Sequence, residues 1–287
     1  MIGISRITAF GRPLVLDRIT NRVVAILTLV ILAAAFIHQL TLAAPFTGAL
    51  VTAAATAFAV FLCWAIGREI DPAYQWSAFV ALPFTLIFTF IFGAPGIVAL
   101  FFILLFSRVL NGSTGIQATS IDSIMLIILG VILFYDGIIF ALLILGMVFF
   151  FDAFFDPANR KQKIFAFLSL ALFVAMFLFF PGIKLSLQIA NIHTVAVMLL
   201  LVVAVIILVM LTGYEQVPDD KNRSMLRKQR VCLARLMIAV FILLEMAFKG
   251  DQAFVLLYPA ALAFCGAALY HLGRRFKKAR SPAGDVG

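Results

Sequence analysis

The stretch HTVAVMLLLVVAVIILVMLT, residues 193–212, contains one ionisable side chain, His193, and that residue opens it. An α-helix rises about 1.5 Å per residue, so about 20 apolar residues cross the roughly 30 Å hydrocarbon core of a bilayer. A helix that is apolar on every side is typical of a membrane span or the core of a large protein. The segment is therefore predicted to be a transmembrane helix.

The rest of the chain has the same character. Of its 287 residues 64% are hydrophobic and 12% are charged, whereas a soluble domain is about 45–50% apolar and about 25% charged. The sequence thus predicts an all-α fold, a polytopic transmembrane helical bundle that forms one integral membrane domain over residues 1–287. About ten spans are predicted, at residues 23–43, 48–67, 76–92, 95–110, 120–134, 137–155, 164–181, 193–212, 234–248 and 252–271.

The predicted number of spans has a range of eight to ten. Several spans are shorter than a bilayer requires and are joined by tight turns, such as Gly93-Ala94-Pro95-Gly96 and Tyr135-Asp136-Gly137. Residues 95–134 could form a re-entrant pair instead of two crossings. The predicted side of every later span is the same in both cases.

The distribution of basic residues tests this topology. With a cytoplasmic N-terminus and alternating spans, all but Lys184 and Lys249 of the 22 Lys and Arg residues fall on the cytoplasmic side. Such a bias follows the positive-inside rule, so both termini are predicted to lie in the cytoplasm and the protein in the cell (cytoplasmic) membrane. The basic cytoplasmic parts are the N-terminal segment 1–22, the connector 213–235 and the tail 272–287.

These basic parts favour a lipid surface over a nucleic acid as the partner. The segment of the connector that begins at Lys221 is predicted to be a basic interfacial helix that attracts the anionic lipids of the cytoplasmic surface. The alternative is that its charges only anchor the topology. The net charge of +9 is explained by topology, and no recognition module for nucleic acid is present in the sequence.

Polar clusters follow the predicted cytoplasmic ends of spans 2, 4 and 6. Acids at the carboxyl end of a helix face the negative end of its dipole, so they require a counter-charge. A divalent cation such as Mg²⁺, the neighbouring arginines or solvent could supply it. We predict three Mg²⁺ ligands and four residues that bind an anionic head group. The metal ligands are Asp71, Asp152 and Asp156, and the head-binding residues are Arg68, Arg108, Asn111 and Arg160. The alternative is that acids and bases at the interface pair with each other.

Three further acids stand at or within the predicted spans. Glu245 lies inside span 9, four residues before Lys249, and either forms an intrahelical ion pair or serves as a proton-coupling carboxylate. Asp122 follows Thr119 and Ser120, and is predicted to cap the start of span 5. Asp251 is predicted to cap the start of span 10 in the same way.

Two resemblances bear on function. In length, span number and the position of both ends, the chain resembles the drug/metabolite transporter superfamily in outline, without that superfamily's sequence features. Paired carboxylates after cytoplasmic helix ends resemble the arrangement in the intramembrane prenyltransferase superfamily. That superfamily carries an Asn-Asp-x-x-Asp-type motif after its second helix, and Arg68-Glu69-Ile70-Asp71-Pro72 does not match it.

The predicted interior of the bundle has few polar groups. A permease for sugars or amino acids needs several at mid-membrane, whereas a lipid tail requires none. The leading hypothesis is therefore a protein that binds or processes a lipid or isoprenoid with an anionic head at the cytoplasmic face, with Mg²⁺ as the candidate cofactor. The alternatives are a ten-helix secondary transporter coupled through Glu245, and a non-catalytic subunit of a membrane complex, either with a membrane-protein partner or as a homo-oligomer.

Overall fold

The computed structural model describes residues 8–10, 17–156, 159–180, 191–211 and 226–280, with side chains as far as Lys277 in the last range. These residues form ten α-helices and no strand, and a short 3₁₀ helix, Ser77–Phe79, precedes the third. The helices are α1 Ile19–Thr41, α2 Phe46–Ile70, α3 Leu82–Phe92, α4 Ile97–Asn111, α5 Ser120–Tyr135, α6 Ala141–Phe155, α7 Lys161–Phe179, α8 Ile192–Leu211, α9 Lys228–Lys249 and α10 Asp251–Arg280.

Six of these helices are long and apolar enough to cross a membrane, namely α1, α2, α7, α8, α9 and α10. The other four contain between 11 and 16 residues. An all-helical bundle is therefore as predicted, with six helices of spanning length in the part of the chain that the structure describes.

Each predicted span coincides with a helix, but some bounds differ. Helix α9 begins at Lys228, so part of the predicted connector 213–235 is helical, and α10 continues to Arg280, well into the predicted tail. Helix α3 begins only at Leu82, because the residues before it form the 3₁₀ helix and Pro83 fits the first turn of a helix. Residues 213–225 of the connector lie outside the described residues, as do 1–7 and 11–16 of the N-terminal segment and 281–287 of the tail.

Local sequence explains where several helices begin and end. The Thr119 side chain and Asp122 form a capping box at the start of α5, which confirms the predicted role of Asp122. Gly112 ends α4 in the left-handed conformation, with φ of 65°, and Gly137 follows α5 with φ of 87°. Positive φ values of this kind are accessible to glycine at little cost, so these turns can be tight.

Burial divides the long helices into a centre and a periphery. In the most apolar 18-residue stretch of each helix, the share of buried residues is 72% in α10, 61% in α2 and 56% in α9. The corresponding share is 17% in α1, 22% in α7 and 28% in α8. The peripheral helices present large apolar side chains to the outside, among them Phe167 on α7 and Leu199 and Met210 on α8. Apolar surface of this extent is compatible with a lipid environment and unfavourable in water.

Helices α2, α4 and α6 finish at the same end of the bundle, and α9 begins there. We call it the basic end, because arginines from α9 contact the last turns of all three helices. Helix α10 runs back towards this end, where His271 contacts Asp71, the residue after α2. Residues remote in sequence therefore meet at this end of the bundle. We call the polar side chains that lie there the polar layer, which contains Arg68, Glu69, Asp71, Arg108, Asn111, Asp152, Asp156, Arg230, Arg235 and His271.

Gly67 and Gly266 allow the segment from Ala78 to Ala81 to pack closely against α2 and α10. A Cβ atom on Gly266 of α10 would lie 2.7 Å from the backbone nitrogen of Ala81, and one on Gly67 of α2 would lie 3.0 Å from the Ala78 Cβ. Real Cβ atoms do not approach backbone atoms as closely as 2.7 Å, so only glycine fits at Gly266. The close contact fixes how α10 packs against α2.

We expect Gly266→Ala to destabilise the protein by about 1–3 kcal/mol, because the added methyl group must push the backbone at Ala81 away. The matched control is Gly273→Ala on the same helix. A Cβ there has no neighbour within 4 Å, and alanine favours a helix over glycine by about 1 kcal/mol. Unfolding of the purified protein in detergent measures both, and equal shifts for the two variants would contradict this packing.

Candidate functional site

Three arginines of the α9 region donate hydrogen bonds to the last turns of three other helices. The last carbonyl groups of a helix have no partner within it and carry the negative end of the helix dipole, so guanidinium groups stabilise them. The bonds join Arg227 Nη1 to the carbonyl of Phe155 at 3.1 Å, Arg230 Nε to that of Leu110 at 2.8 Å and Arg235 Nε to that of Ile70 at 2.6 Å. Two arginines of α9 and the residue just before this helix thus bond to the ends of α4, α2 and α6.

The two acids near the end of α6 both accept hydrogen bonds from protein side chains. Asp152, which is buried near the end of α6, forms an ion pair with Arg230. Asp156 ends α6 and accepts a hydrogen bond of 2.5 Å from Gln117. Of the three counter-charges considered from the sequence, the geometry at Asp152 favours an arginine, although Arg230 lies far from it in the chain.

Glu69 belongs to a second buried group, together with Arg108 and Asn111. The Arg108 Nε atom lies 3.4 Å from Glu69 Oε1, and Asn111 Nδ2 donates to Glu69 Oε2 at 3.1 Å and to the Glu69 backbone carbonyl at 3.0 Å. Arg108 also donates to the carbonyl of Phe10 at 2.7 Å. The predicted head-binding residues Arg108 and Asn111 are therefore brought together, in contact with Glu69.

Asp71 belongs to a third group, with a histidine and an arginine. Its Oδ2 atom lies 3.0 Å from His271 Nε2, and its Oδ1 atom lies 4.0 Å from Arg235 Nη2. The three side chains come from the end of α2, from α9 and from α10, and all are buried. Asp71 thereby links His271 of α10 to the end of α2.

The predicted Mg²⁺ ligands occupy different groups of this layer. Asp152 is paired with Arg230, Asp156 with Gln117, and Asp71 with His271. Among the described residues, no group of three or more His, Cys, Asp or Glu side chains is placed to hold a metal ion. The Mg²⁺ site remains a prediction, and the contacts favour the alternative in which acids and bases pair.

The two remaining predicted head-binding arginines lie in different surroundings. Arg68 is buried, donates to Asn21 Oδ1 at 3.0 Å, and places its guanidinium 5.3 Å from the centroid of the Trp64 ring. Arg160 is exposed at the start of α7. Arg160 is therefore the more accessible of the two to a ligand at the surface.

An open cleft of about 650 Å³, which we call the α10 cleft, lies beside the polar layer at the ends of α8 and α10. Tyr74 and His271 form part of its wall, and the basic side chains are Arg274, Arg275 and Lys277. Helix α8 contributes the apolar side chains Met210 and Leu211. The sequence signal for this cleft was the basic tail 272–287, which was predicted to be cytoplasmic but was not selected as a site.

Side chains that line the cleft contact side chains of the polar layer. The guanidinium of Arg274 lies 4.1 Å from the centroid of the Tyr74 ring, within cation–π range. The Tyr74 ring contacts the ring of His271 edge-to-face, with centroids 5.0 Å apart. Since His271 is bonded to Asp71, a continuous series of contacts leads from the arginine of the cleft to the end of α2.

Glu245 has a structural role that its position in the sequence did not reveal. It is fully buried on α9, and its Oε1 atom accepts a hydrogen bond of 2.7 Å from the backbone N–H of Phe140, the residue before α6. A carboxylate at this position satisfies an N–H group that has no partner within the helix and favours the positive end of its dipole. Glu245 thus caps α6, which neither sequence interpretation had included.

Asp251 also bonds across helices. Its carboxylate accepts hydrogen bonds from the Thr194 hydroxyl at 2.5 Å and from the backbone N–H of Asn191 at 3.2 Å. These donors belong to the start of α8, whereas the sequence had predicted a cap of the helix that Asp251 itself begins. The side chain therefore joins the starts of α8 and α10.

Comparison of the chain with protein-family models, with curated proteins and with solved structures found no match.

We expect Arg230→Met to cost about 3–5 kcal/mol of stability, because it leaves the Asp152 carboxylate buried without its partner. Adding Asp152→Leu should recover part of this loss, with a coupling energy of about 0.5–3 kcal/mol in a double-mutant cycle. Arg227→Met is the control, since Arg227 is exposed and its removal should cost no more than about 1 kcal/mol. Unfolding in detergent measures Arg230→Met, Asp152→Leu, their combination and Arg227→Met. Additive effects of the Arg230 and Asp152 changes would refute the pairing.

The capping role of Glu245 separates two substitutions. Glu245→Gln keeps an oxygen that can accept from the Phe140 N–H and should cost about 1 kcal/mol. Glu245→Leu leaves that buried N–H without a partner and should cost about 1–3 kcal/mol more. Unfolding in detergent distinguishes them, and equal losses for glutamine and leucine would show that the hydrogen bond does not stabilise α6.

Proposed function

We propose that the protein is a multi-pass integral protein of the cytoplasmic membrane, with eight to ten spans and with its basic end and both termini in the cytoplasm. The distribution of basic residues supports this orientation through the positive-inside rule. The arginines of the α9 region and the cations of the α10 cleft lie at the basic end. The exposed apolar surfaces of α1, α7 and α8 support contact with lipid.

We further propose that the protein binds a lipid with an anionic head at the cytoplasmic face, and that the α10 cleft receives the head. The observation that carries this proposal is the lining of the cleft, which among the described residues combines three cationic side chains with the apolar Met210 and Leu211. A small polar solute offers no match for the apolar wall. An amphiphile matches both parts of the cleft.

The paired arginines of the polar layer are assigned a supporting role in this proposal. Arg68 and Arg108 already donate to protein groups, so a head group would have to replace those bonds. Arg274, Arg275 and Lys277 are exposed around an open space. Each Lys or Arg near an anionic membrane surface contributes about 1 kcal/mol of attraction.

The lipid-binding hypothesis is preferred over the two alternatives, a secondary transporter and a non-catalytic subunit. A coupling role for Glu245 is the basis of the transporter alternative, and its bond to Phe140 explains its burial without a transported proton. A non-catalytic subunit would need a surface for its partner, whereas the exposed apolar surface spreads over several peripheral helices, as a lipid-facing surface does.

The double variant Arg275→Gln/Lys277→Gln tests the proposal. Loss of two cations should weaken binding of short-chain phosphatidylglycerol to the purified protein by roughly tenfold to thirtyfold, while binding of phosphatidylcholine stays weak. Native mass spectrometry of the detergent-solubilised protein counts the bound lipids. The control is Lys161→Gln/Lys163→Gln, which removes two exposed cations from α7. An equal loss in both double variants would mean that the cleft is not the binding site.

A further inference from the structure

We propose that the head group bound in the α10 cleft carries a dianionic phosphate, as a phosphomonoester or diphosphate does, and that its chain lies in a second, adjoining groove. The inference rests on the proposed function and specifies its ligand. Two features carry it: the chemical character of the cleft lining, and a smaller apolar groove on the other side of the same cations.

The charge of the cleft exceeds what a singly charged head requires. Arg274, Arg275 and Lys277 line it, and no acidic residue is among its described lining residues. Asp71, which contacts the cleft residue His271, is buried and bonded to it. A phosphodiester brings one negative charge, whereas a phosphomonoester carries about −1.5 to −2 at pH 7.

The donors also suit the oxygens of a monoester. Arginine presents its N–H groups as a planar fork that binds two phosphate oxygens at once, and lysine adds a compact charge. A phosphomonoester has three terminal oxygens to accept such bonds, and a diester has two. The contact of Arg274 with Tyr74, at 4.1 Å, holds one fork in place. This support reduces the ordering that ligand binding must impose.

The second groove has a volume of about 320 Å³ and shares Arg274 and Lys277 with the first cleft. Its other lining residues are Val80, Leu269, Tyr270 and Gly273. Leu269 is half exposed, and Gly273 has no atom within 4 Å of where a Cβ would stand. The cations therefore stand between a basic cleft and an apolar groove, which is the arrangement that an amphiphile with a phosphate head requires.

The groove also distinguishes a lipid from a free phosphate. An inorganic phosphate would use the cations alone and gain nothing from Val80 or Leu269. A phosphate lipid would use both parts of the site. A larger side chain at Gly273 should consequently weaken the lipid and leave the phosphate unaffected.

The experiment titrates the detergent-solubilised protein with dioctanoyl phosphatidic acid, phosphatidylglycerol and phosphatidylcholine at one salt concentration, with native mass spectrometry as the readout. We expect phosphatidic acid to bind at least about fivefold more tightly than phosphatidylglycerol. Gly273→Leu should weaken phosphatidic acid by about fivefold or more through loss of chain contacts, and inorganic phosphate should compete equally with the head in both proteins. Lys277→Gln should weaken both ligands.

The possible failures are separable. Equal affinity for phosphatidic acid and phosphatidylglycerol, both above phosphatidylcholine, would overturn the dianionic head and leave the proposed function in place. Binding of phosphatidic acid that Gly273→Leu does not change would overturn the chain groove. Equal affinity for all three lipids would overturn the proposed function itself, and with it the further inference.

Discussion

Hydrogen bonds from arginine to the carboxyl ends of helices are the interaction on which this structure depends. Helix ends that meet inside a protein leave carbonyl groups without partners, and an uncompensated carbonyl in an apolar environment costs several kcal/mol. Here Arg227, Arg230 and Arg235, at the start of α9, supply donors to the ends of α6, α4 and α2. Arg230 and Arg235 also form ion pairs with Asp152 and Asp71, acids that stand against the helix dipoles, so these two side chains meet both requirements.

The polar layer extends from this capping to the surface. Asp71 lies between Arg235 and His271, His271 contacts Tyr74, and Tyr74 supports Arg274 at the rim of the cleft. An arginine that packs on an aromatic ring, which itself contacts a buried histidine, has less rotational freedom than an arginine on an open surface. In the proposed function the buried ion pairs contribute indirectly, because they support the side of the cleft against which the head group would bind.

Much of the fold could be predicted from the sequence, because each signal was local. The apolar runs identified the helices, the glycine turns separated them, and the Thr119–Asp122 pair gave the start of α5. The pairs within the polar layer could not be predicted, since they join residues such as Arg230 and Asp152 that are far apart in the chain. The bond between Glu245 and the backbone of Phe140 could not be predicted for the same reason, because Phe140 borders another helix.

By itself the sequence determined that the chain is helical and apolar, and that its cations gather near one set of helix ends. These properties follow from composition and from distances along the chain. Only the tertiary structure decided which acid meets which arginine, and that Tyr74, Met210 and Arg274 line one cleft. The physical reason is that helix packing sets the rotation and depth of each helix. Side chains brought together by that packing leave no spacing pattern in the sequence.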